Sequence, residues 1–260
     1  MFLTANGITV SCEISGTEGC PWLIFSNSLA TDLTMWDDQA QAFERSHRIL
    51  RYDQRGHGQT DAPNGRYSFA TLIADIIDIM DKLKIDKADF CGLSMGGATA
   101  LGFAQLHPDR LRKVIVCDSP CASNPEAQMQ WEERMATAKM KGMDALVEPT
   151  IGRWFPEDTV RSNRDFLPRL RRMISNTPVN GFYGCAAALG DHDFRSNAAN
   201  VNLPVLLLVG EKDGSVPLLM STLRDQIPNS RFVELPGAGH ISNMDQPEAF
   251  NAAVRDFLTA

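Results

Sequence analysis

The sequence has few of the features that mark nucleic-acid-binding or membrane proteins. Its 260 residues carry a net charge of −7, and no run of lysine and arginine is longer than two residues. Non-specific binding to nucleic acid depends on basic patches, so we expect no nucleic-acid partner. No apolar run approaches the roughly 18 residues of a membrane span, and the first residues show no basic segment followed by a long apolar one. We therefore expect a cytoplasmic protein without a membrane anchor.

Motifs for metals and cofactors are also missing. The six cysteines show no C-x-x-C spacing, and no G-x-G-x-x-G fingerprint occurs. We predict no metal and no cofactor, and we expect the cysteines to be reduced thiols. With 43% hydrophobic and 22% charged residues, the chain is long enough to bury one large core,. This composition predicts a single α/β domain with room for an insertion.

One motif in the sequence places a serine between two glycines. Gly92-x-Ser94-x-Gly96 follows an apolar strand predicted at 85–90 and precedes a run of small apolar residues. This order is typical of a tight turn from strand to helix, in which the glycines permit the sharp bend and the serine Oγ stays exposed. The N–H of Met95 then lies at a helix N-terminus, where backbone donors and the helix dipole favour an oxyanion. The pattern predicts a nucleophilic serine with an oxyanion donor beside it.

Two later residues complete a triad in the order serine, acid, histidine. Asp213 follows an apolar strand predicted at 201–209. His240 lies on a Gly-rich loop after the last predicted strand, and a loop histidine becomes a general base when an acid orients it. We assign Ser94, Asp213 and His240 as the catalytic residues.

Two other residues are alternatives for this chemistry. Asp118 ends the strand predicted at 111–118 and is a second candidate for the acid, although Asp213 fits the chain order better,. His57 lies in a Gly-rich loop ahead of the nucleophile, where we expect a structural role.

The order of the predicted elements indicates a parallel sheet. Strands and helices alternate along most of the chain, and a repeated β-α-β order requires parallel strands. An antiparallel hairpin is predicted around Asn6-Gly7,. We predict an α/β fold with a mostly parallel, doubly wound sheet, whose core comprises 1–122 and 178–260.

The remaining region, 123–177, is predicted to be a helical cap. Glycines and prolines break its helical segments, and no strong strand signal occurs between Met129 and Arg172,. This stretch has nine basic and seven acidic residues, a net charge of +2 in a chain of net charge −7. A basic, aromatic cap above a serine suits a small anionic substrate, although most surface arginines are solvated or paired with glutamates. The candidate substrate-binding residues are Trp131, Arg134, Arg153 and Trp154.

Five stretches of the chain carry a family resemblance. They are SNSLATDLTMW at 26–36, RYDQRGHG at 51–58, FCGLSMGG at 90–97, RWF at 153–155 and GHISN at 239–243. Together they resemble the α/β-hydrolase superfamily and, within it, the 3-oxoadipate enol-lactone hydrolases of aromatic-compound catabolism. The resemblance implies an α/β-hydrolase fold and cofactor-free hydrolysis of a small enol-lactone to 3-oxoadipate in the β-ketoadipate pathway.

The resemblance also implies a second oxyanion donor from the loop at 26–32. Most relatives have His-Gly in this loop, whereas this chain has Ser26-Asn27. The aligned donor is the N–H of Ser28, and the neighbouring candidate is Leu29. Ala30 stands where a glycine is expected.

The residues alone support acyl transfer to water from a small anionic ester or lactone. Two other classes of enzyme use the same residues, cofactor-free perhydrolases or haloperoxidases and C–C or carboxylester hydrolases. A third alternative is a small-molecule receptor with little turnover. The basic cap favours the lactonase, and the intact triad argues against the receptor.

Overall fold

An eight-stranded sheet forms the centre of the structure, a computed structural model that describes residues 1–162 and 164–260. In chain order the strands are β1 (Phe2–Ala5), β2 (Ile8–Gly16), β3 (Trp22–Ser26), β4 (Arg48–Tyr52), β5 (Ala88–Leu93), β6 (Leu111–Cys117), β7 (Val205–Gly210) and β8 (Ser230–Leu235). Their spatial order is β1-β2-β4-β3-β5-β6-β7-β8. The β1–β2 and β2–β4 pairs are antiparallel, and β3 to β8 run parallel. The predicted sheet and its edge hairpin are thus confirmed.

Helices flank the sheet on both sides. They are α1 (Asp37–Phe43), α2 (Phe69–Lys82), α3 (Met95–Leu106), α4 (Pro125–Lys141), α5 (Asp144–Trp154), α6 (Glu157–Arg161), α7 (Phe166–Asn176), α8 (Val179–Asp191), α9 (Val216–Arg224), α10 (Ser242–Asp245) and α11 (Pro247–Thr259), with 3-10 turns at Leu33–Trp36, Pro108–Arg110 and Arg195–Asn200. In the described residues, none of the helices has the length and apolar character needed to cross a bilayer.

The core is built around strands that are buried on both faces. Every residue of β5 and of β7 is buried, and α3 is buried from Met95 to Ala104. Parallel strands that are covered by helices on both faces have continuous apolar sequences, as these two strands do. The turn between β5 and α3 therefore joins two buried elements in the centre of the molecule.

Five helices, α4 to α8, separate β6 from β7. The first four lie within 123–177, and α8 packs against both α4 and the core. In one contact with the core, the N–H of Tyr67 donates to Gly184 O at 3.0 Å. We propose the division predicted from the sequence, a core of 1–122 and 178–260 and a cap of 123–177.

Two glycines allow α8 to touch the loop that follows β4. A Cβ on Gly181 would lie 1.9 Å from Gly56 O, and Gly56 itself has a φ of +79°. Neither position therefore has room for a side chain.

We predict that Gly181→Ala lowers the free energy of unfolding by about 1–3 kcal/mol, the usual range for an overpacked site. Urea unfolding measures the change. The matched control is Gly190→Ala in the same helix, where the nearest atom to a new Cβ is 3.8 Å away. There alanine is expected to stabilise by up to about 1 kcal/mol, because it favours a helix over glycine. Equal effects at the two positions would contradict the close approach.

Candidate active site

Ser94 occupies a strained turn between β5 and α3. Its φ and ψ are 56° and −112°, a combination that non-glycine residues rarely adopt,. A Cβ on Gly92 would lie 1.9 Å from Gly96 O, and one on Gly96 would lie 2.0 Å from Ser26 O. Both glycines of the motif are needed because the backbones touch here. The Ser94 N–H donates to Cys117 O at 2.8 Å, which helps to hold the turn.

The structure brings the three assigned catalytic residues together. His240 Nε2 lies 2.9 Å from Ser94 Oγ, and His240 Nδ1 lies 2.7 Å from Asp213 Oδ2. The Asp213 side chain is 9% exposed and that of His240 is 15% exposed, so little water competes for these hydrogen bonds. A carboxylate at Nδ1 favours the tautomer whose Nε2 accepts the serine proton.

Asp118, the alternative acid, contacts other groups. Its Oδ1 accepts the N–H of Gly210 at 2.7 Å, and its Oδ2 accepts the hydroxyl of Ser242. Burial, followed by the nearby charge of Asp213, raises the pKa of Asp118 well above its usual value. Asp118 therefore joins the end of β7 to the turn after His240, and Asp213 is the carboxylate that orients the imidazole.

The oxyanion loop follows Ser26, the last residue of β3, and contains both candidate donors, Ser28 and Leu29. The N–H of Ser28 donates to Met35 Sδ at 3.4 Å. The N–H groups of Leu29 and Met95 donate to no group in 1–162 or 164–260. We therefore propose Leu29, with Met95, as the oxyanion donors.

His57 holds this loop from behind. Its Nε2 accepts the N–H of Ala30 at 2.9 Å, and its Nδ1 donates to Arg55 O at 3.2 Å. Ala30 has a φ of +61°, a conformation that needs such support,. Complete burial lowers the pKa of His57 to about 4, so the ring is neutral at pH 7. His57 thus has the structural role expected for it.

A cavity of about 350 Å³ lies above Ser94 and His240. The four candidate cap residues line it, and the Trp154 ring stacks on His240 with centroids 6.1 Å apart. Phe182, Leu189 and His192 complete the far wall. Sequence reasoning missed these three, because Phe182 and Leu189 look like core residues of a helix and His192, directly after α8, belongs to no motif.

Two arginines in the cavity wall lack a carboxylate partner among the described residues. Arg134 lies 4.5 Å from the centroid of the Trp131 ring and donates to Gln130 Oε1 at 3.3 Å. Arg153 donates to Pro149 O at 3.4 Å and to Thr150 Oγ1 at 3.5 Å. These are long hydrogen bonds to neutral groups, and within residues 1–162 and 164–260 neither guanidinium group forms an ion pair.

Removal from water lowers the pKa of both arginines, and the positive charge of Arg134 lowers the pKa of Arg153 further. A bound anion would counter both effects. We therefore propose that this cavity, which Ser94 also lines, binds an anion,.

The fold and the site agree with the known proteins that the chain matches. Residues 21–247 match the family described as the alpha/beta hydrolase fold, and the chain belongs to this family. It is a hydrolase.

More particularly, the chain is similar to enol-lactonases. It is 33% identical to 3-oxoadipate enol-lactonase 1 of Acinetobacter baylyi, over 96% of this chain and 93% of that protein. The crystal structure of the enol-lactonase from Burkholderia xenovorans LB400 superposes with a TM-score of 0.96, at 36% identity and with full coverage of both chains. A protein of Pseudomonas savastanoi named as a carbamate hydrolase, RutD, is 28% identical over 92% of this chain and 94% of its own length.

The contacts of the two aspartates predict different effects of their replacement. Asp213→Asn should lower kcat by about 10⁴-fold, because the imidazole loses the partner that sets its tautomer. Asp118→Asn should mainly lower stability, by roughly 1–3 kcal/mol, because its buried hydrogen bonds are structural. Steady-state kinetics and urea unfolding of both variants separate these outcomes. A comparable loss of kcat in both would contradict the assignment of the acid.

The neutral, buried His57 predicts a pH dependence of stability. Its pKa falls from 6.5 to about 4 on folding, so between these values the unfolded chain binds a proton that the folded protein does not,. Stability should therefore fall as the pH decreases through this range, by about 3 kcal/mol from this residue.

The variant His57→Gln tests this contribution. It keeps a donor and an acceptor but does not titrate, so its stability should fall less between pH 7.5 and pH 4. Asp53, whose pKa burial raises to about 6, acts in the opposite direction but is present in both proteins. Urea unfolding at a series of pH values gives the two curves, and parallel curves would refute the assignment to His57.

Proposed function

We propose that this chain hydrolyses 3-oxoadipate enol-lactone, a five-membered lactone with a carboxymethyl group, to 3-oxoadipate in the β-ketoadipate pathway. The observation that carries the proposal is the pair Arg134 and Arg153, which line the cavity above Ser94 and form no ion pair with any residue that the structure describes. A small substrate with both an acyl carbon and a carboxylate suits this site, because Ser94 can attack the acyl carbon and the two arginines can bind the carboxylate. The similarity to two enol-lactonases supports the same substrate.

The cap binds the substrate by its carboxylate and its ring. The carboxylate lies between the two guanidinium groups, where charge-assisted hydrogen bonds hold it. Trp131 and Trp154 contact the apolar faces of the ring. The lactone carbonyl then faces Ser94, with its oxygen directed at the N–H groups of Leu29 and Met95.

Ring opening forms an acyl-enzyme. Ser94 Oγ attacks the carbonyl carbon while His240 Nε2 takes the hydroxyl proton, and the oxyanion is held by the two backbone N–H groups. The bond from the carbonyl carbon to the ring oxygen breaks, and His240 returns the proton to that oxygen. The enol that results tautomerises to the ketone.

Water completes the reaction. His240 accepts a proton from a water molecule, which attacks the acyl carbon at the same position. Collapse of the second oxyanion releases Ser94 Oγ, which recovers its proton from His240. The new carboxyl group loses its remaining proton to solvent, and 3-oxoadipate leaves the site.

A three-substrate assay tests the proposal. Initial rates are measured with the enol-lactone, with p-nitrophenyl acetate and with acetate plus hydrogen peroxide, the last detecting perhydrolysis. We expect the lactone to be preferred by kcat/KM, and Ser94→Ala to lose at least ~10³-fold in kcat while remaining folded. A preference for the perhydrolysis reaction, or normal turnover by Ser94→Ala, would overturn it.

The arginine pair predicts a substrate-specific loss. Arg134→Ala or Arg153→Ala should lower kcat/KM for the anionic lactone about 10- to 150-fold, because a charge-assisted hydrogen bond contributes roughly 1.5–3 kcal/mol. The effect should appear mainly in KM. A neutral ester of similar size is the internal control and should change little.

Arg171→Ala is the matched control variant. Arg171 also lies in the cap, but it pairs with Glu148 at 2.7 Å and does not line the cavity. Its replacement should leave both substrates unaffected. A parallel loss on lactone and neutral ester in the Arg134 or Arg153 variant would show that the arginine only supports the cap.

A further inference from the structure

The cap contacts the catalytic histidine through the backbone. The N–H of His240 donates to Trp154 O at 2.7 Å, at the end of cap helix α5. A Cβ on the preceding residue, Gly239, would lie 2.2 Å from the same oxygen, so only glycine permits the contact. The end of α5 is thus hydrogen-bonded to the loop that carries His240.

A buried carboxylate forms a second link between the two. Asp245 Oδ2, from α10, accepts the N–H of Gly239 at 2.8 Å. Its Oδ1 accepts Arg164 Nη1 at 2.9 Å, and the same Nη1 donates to Asp245 O at 2.7 Å. Arg164 belongs to the cap, between α6 and α7.

The Asp245 carboxylate needs Arg164 as a partner because it is buried. The Asp245 side chain is 1% exposed, and burial raises its pKa, whereas the Gly239 N–H and the charge of Arg164 lower it. Without Arg164 the carboxylate is left buried with a single neutral donor. It then has to take up a proton or turn towards water, and either change weakens its bond to Gly239.

We propose that Arg164 is a positioning residue for His240. Through Asp245 and Gly239 it fixes the loop 236–240 so that Nε2 stays within hydrogen-bond distance of Ser94. This inference rests on the triad chemistry proposed above. It does not depend on the lactone, because any acyl substrate uses His240.

The competing explanation is that Arg164 only docks the cap. Arg169 provides the matched control, because it forms another ion pair between cap and core, with Asp37 at 2.8 Å. The exposed fractions of the two arginine side chains are similar, 32% for Arg169 and 38% for Arg164. Asp37 begins α1, keeps Arg51 as a second partner and contacts no residue of the triad.

The experiment compares Arg164→Met, Arg169→Met and the conservative Arg164→Lys. For each, kcat and KM are measured with the enol-lactone and with p-nitrophenyl acetate. The rate at which a small neutral fluorophosphonate inactivates Ser94 is measured as well, because this reaction needs the base but no carboxylate site. Circular dichroism at the assay temperature verifies that each variant is folded.

We expect Arg164→Met to lower kcat for both substrates by about 10- to 100-fold, since small displacements of a reacting group have effects of this size. Inactivation by the fluorophosphonate should slow similarly, and KM for the lactone should stay unchanged. Arg164→Lys should recover part of the loss, because an ammonium group can donate to both Asp245 oxygens. Arg169→Met should stay within roughly 3-fold of the wild type, as expected for an exposed ion pair.

Equal losses in Arg164→Met and Arg169→Met would overturn the proposal, as would a raised KM with unchanged kcat. If Arg164→Met is unfolded, Arg164→Gln replaces it under the same criteria. Failure of the proposed function gives different results. Normal turnover by Ser94→Ala would refute the triad mechanism, and loss of the preference for the lactone would refute the proposed substrate. Wild-type kcat in folded Arg164→Met would refute only the positioning role of Arg164.

Discussion

The active site depends on a contact between backbones at the turn from β5 to α3, where Ser94 lies. Gly96 lies against Ser26 so closely that a Cβ would be 2.0 Å from its carbonyl oxygen, and the Gly96 N–H donates to Asn27 O at 2.9 Å. Met95 directly precedes Gly96, and Leu29 follows Asn27 by two residues. This one contact therefore sets the separation of the two proposed oxyanion donors. It explains why the strained φ of Ser94 persists, since strands and helix on every side hold the turn in place.

Charged groups in the cap are arranged differently from the groups around Ser94. The turn at Ser94 is held by satisfied hydrogen bonds, whereas Arg134 and Arg153 line the cavity and form no ion pair among the described residues. Arg171, another arginine of the cap, pairs with Glu148 and lies outside the cavity wall. The position in the cavity wall, combined with the lack of an ion pair, makes Arg134 and Arg153 the candidates for binding an anion.

The sequence predicted the core well because its signals there are local. The strand expected at 111–118 spans Leu111–Cys117. The strand expected at 85–90 instead spans Ala88–Leu93, because Gly92 and Leu93 continue the ladder with β3 and β6 although the glycine suggested a turn. The strand expected at 201–209 begins only at Val205, directly after Pro204, which has no N–H for a ladder,.

The details of the site were less predictable because they depend on contacts between distant segments. The choice between Ser28 and Leu29 depends on which N–H the folded loop directs at Met35 Sδ, and the local sequence does not show this. The unpaired state of the arginines depends on which glutamates the folded cap brings near them. The link from Arg164 to Asp245 spans 81 residues, and no local pattern identifies it. By contrast, the triad follows from motif and chain order, since each of its residues ends a predicted strand or lies in the loop after one.

These contacts limit how the cap can move. If the whole cap rotated away as a rigid lid, the bond from His240 N–H to Trp154 O would break and the base would lose a support at each opening. Trp154 O accepts the N–H of His240, and Arg164 reaches Gly239 through Asp245. Among the described residues, α4, which carries Trp131 and Arg134, forms no hydrogen bond with the loop 236–240. It packs on α8, and its Glu132 pairs with Arg66. In the proposed complex the carboxylate is therefore held from both parts of the cap, because Arg153 directly precedes Trp154 whereas Arg134 lies on α4.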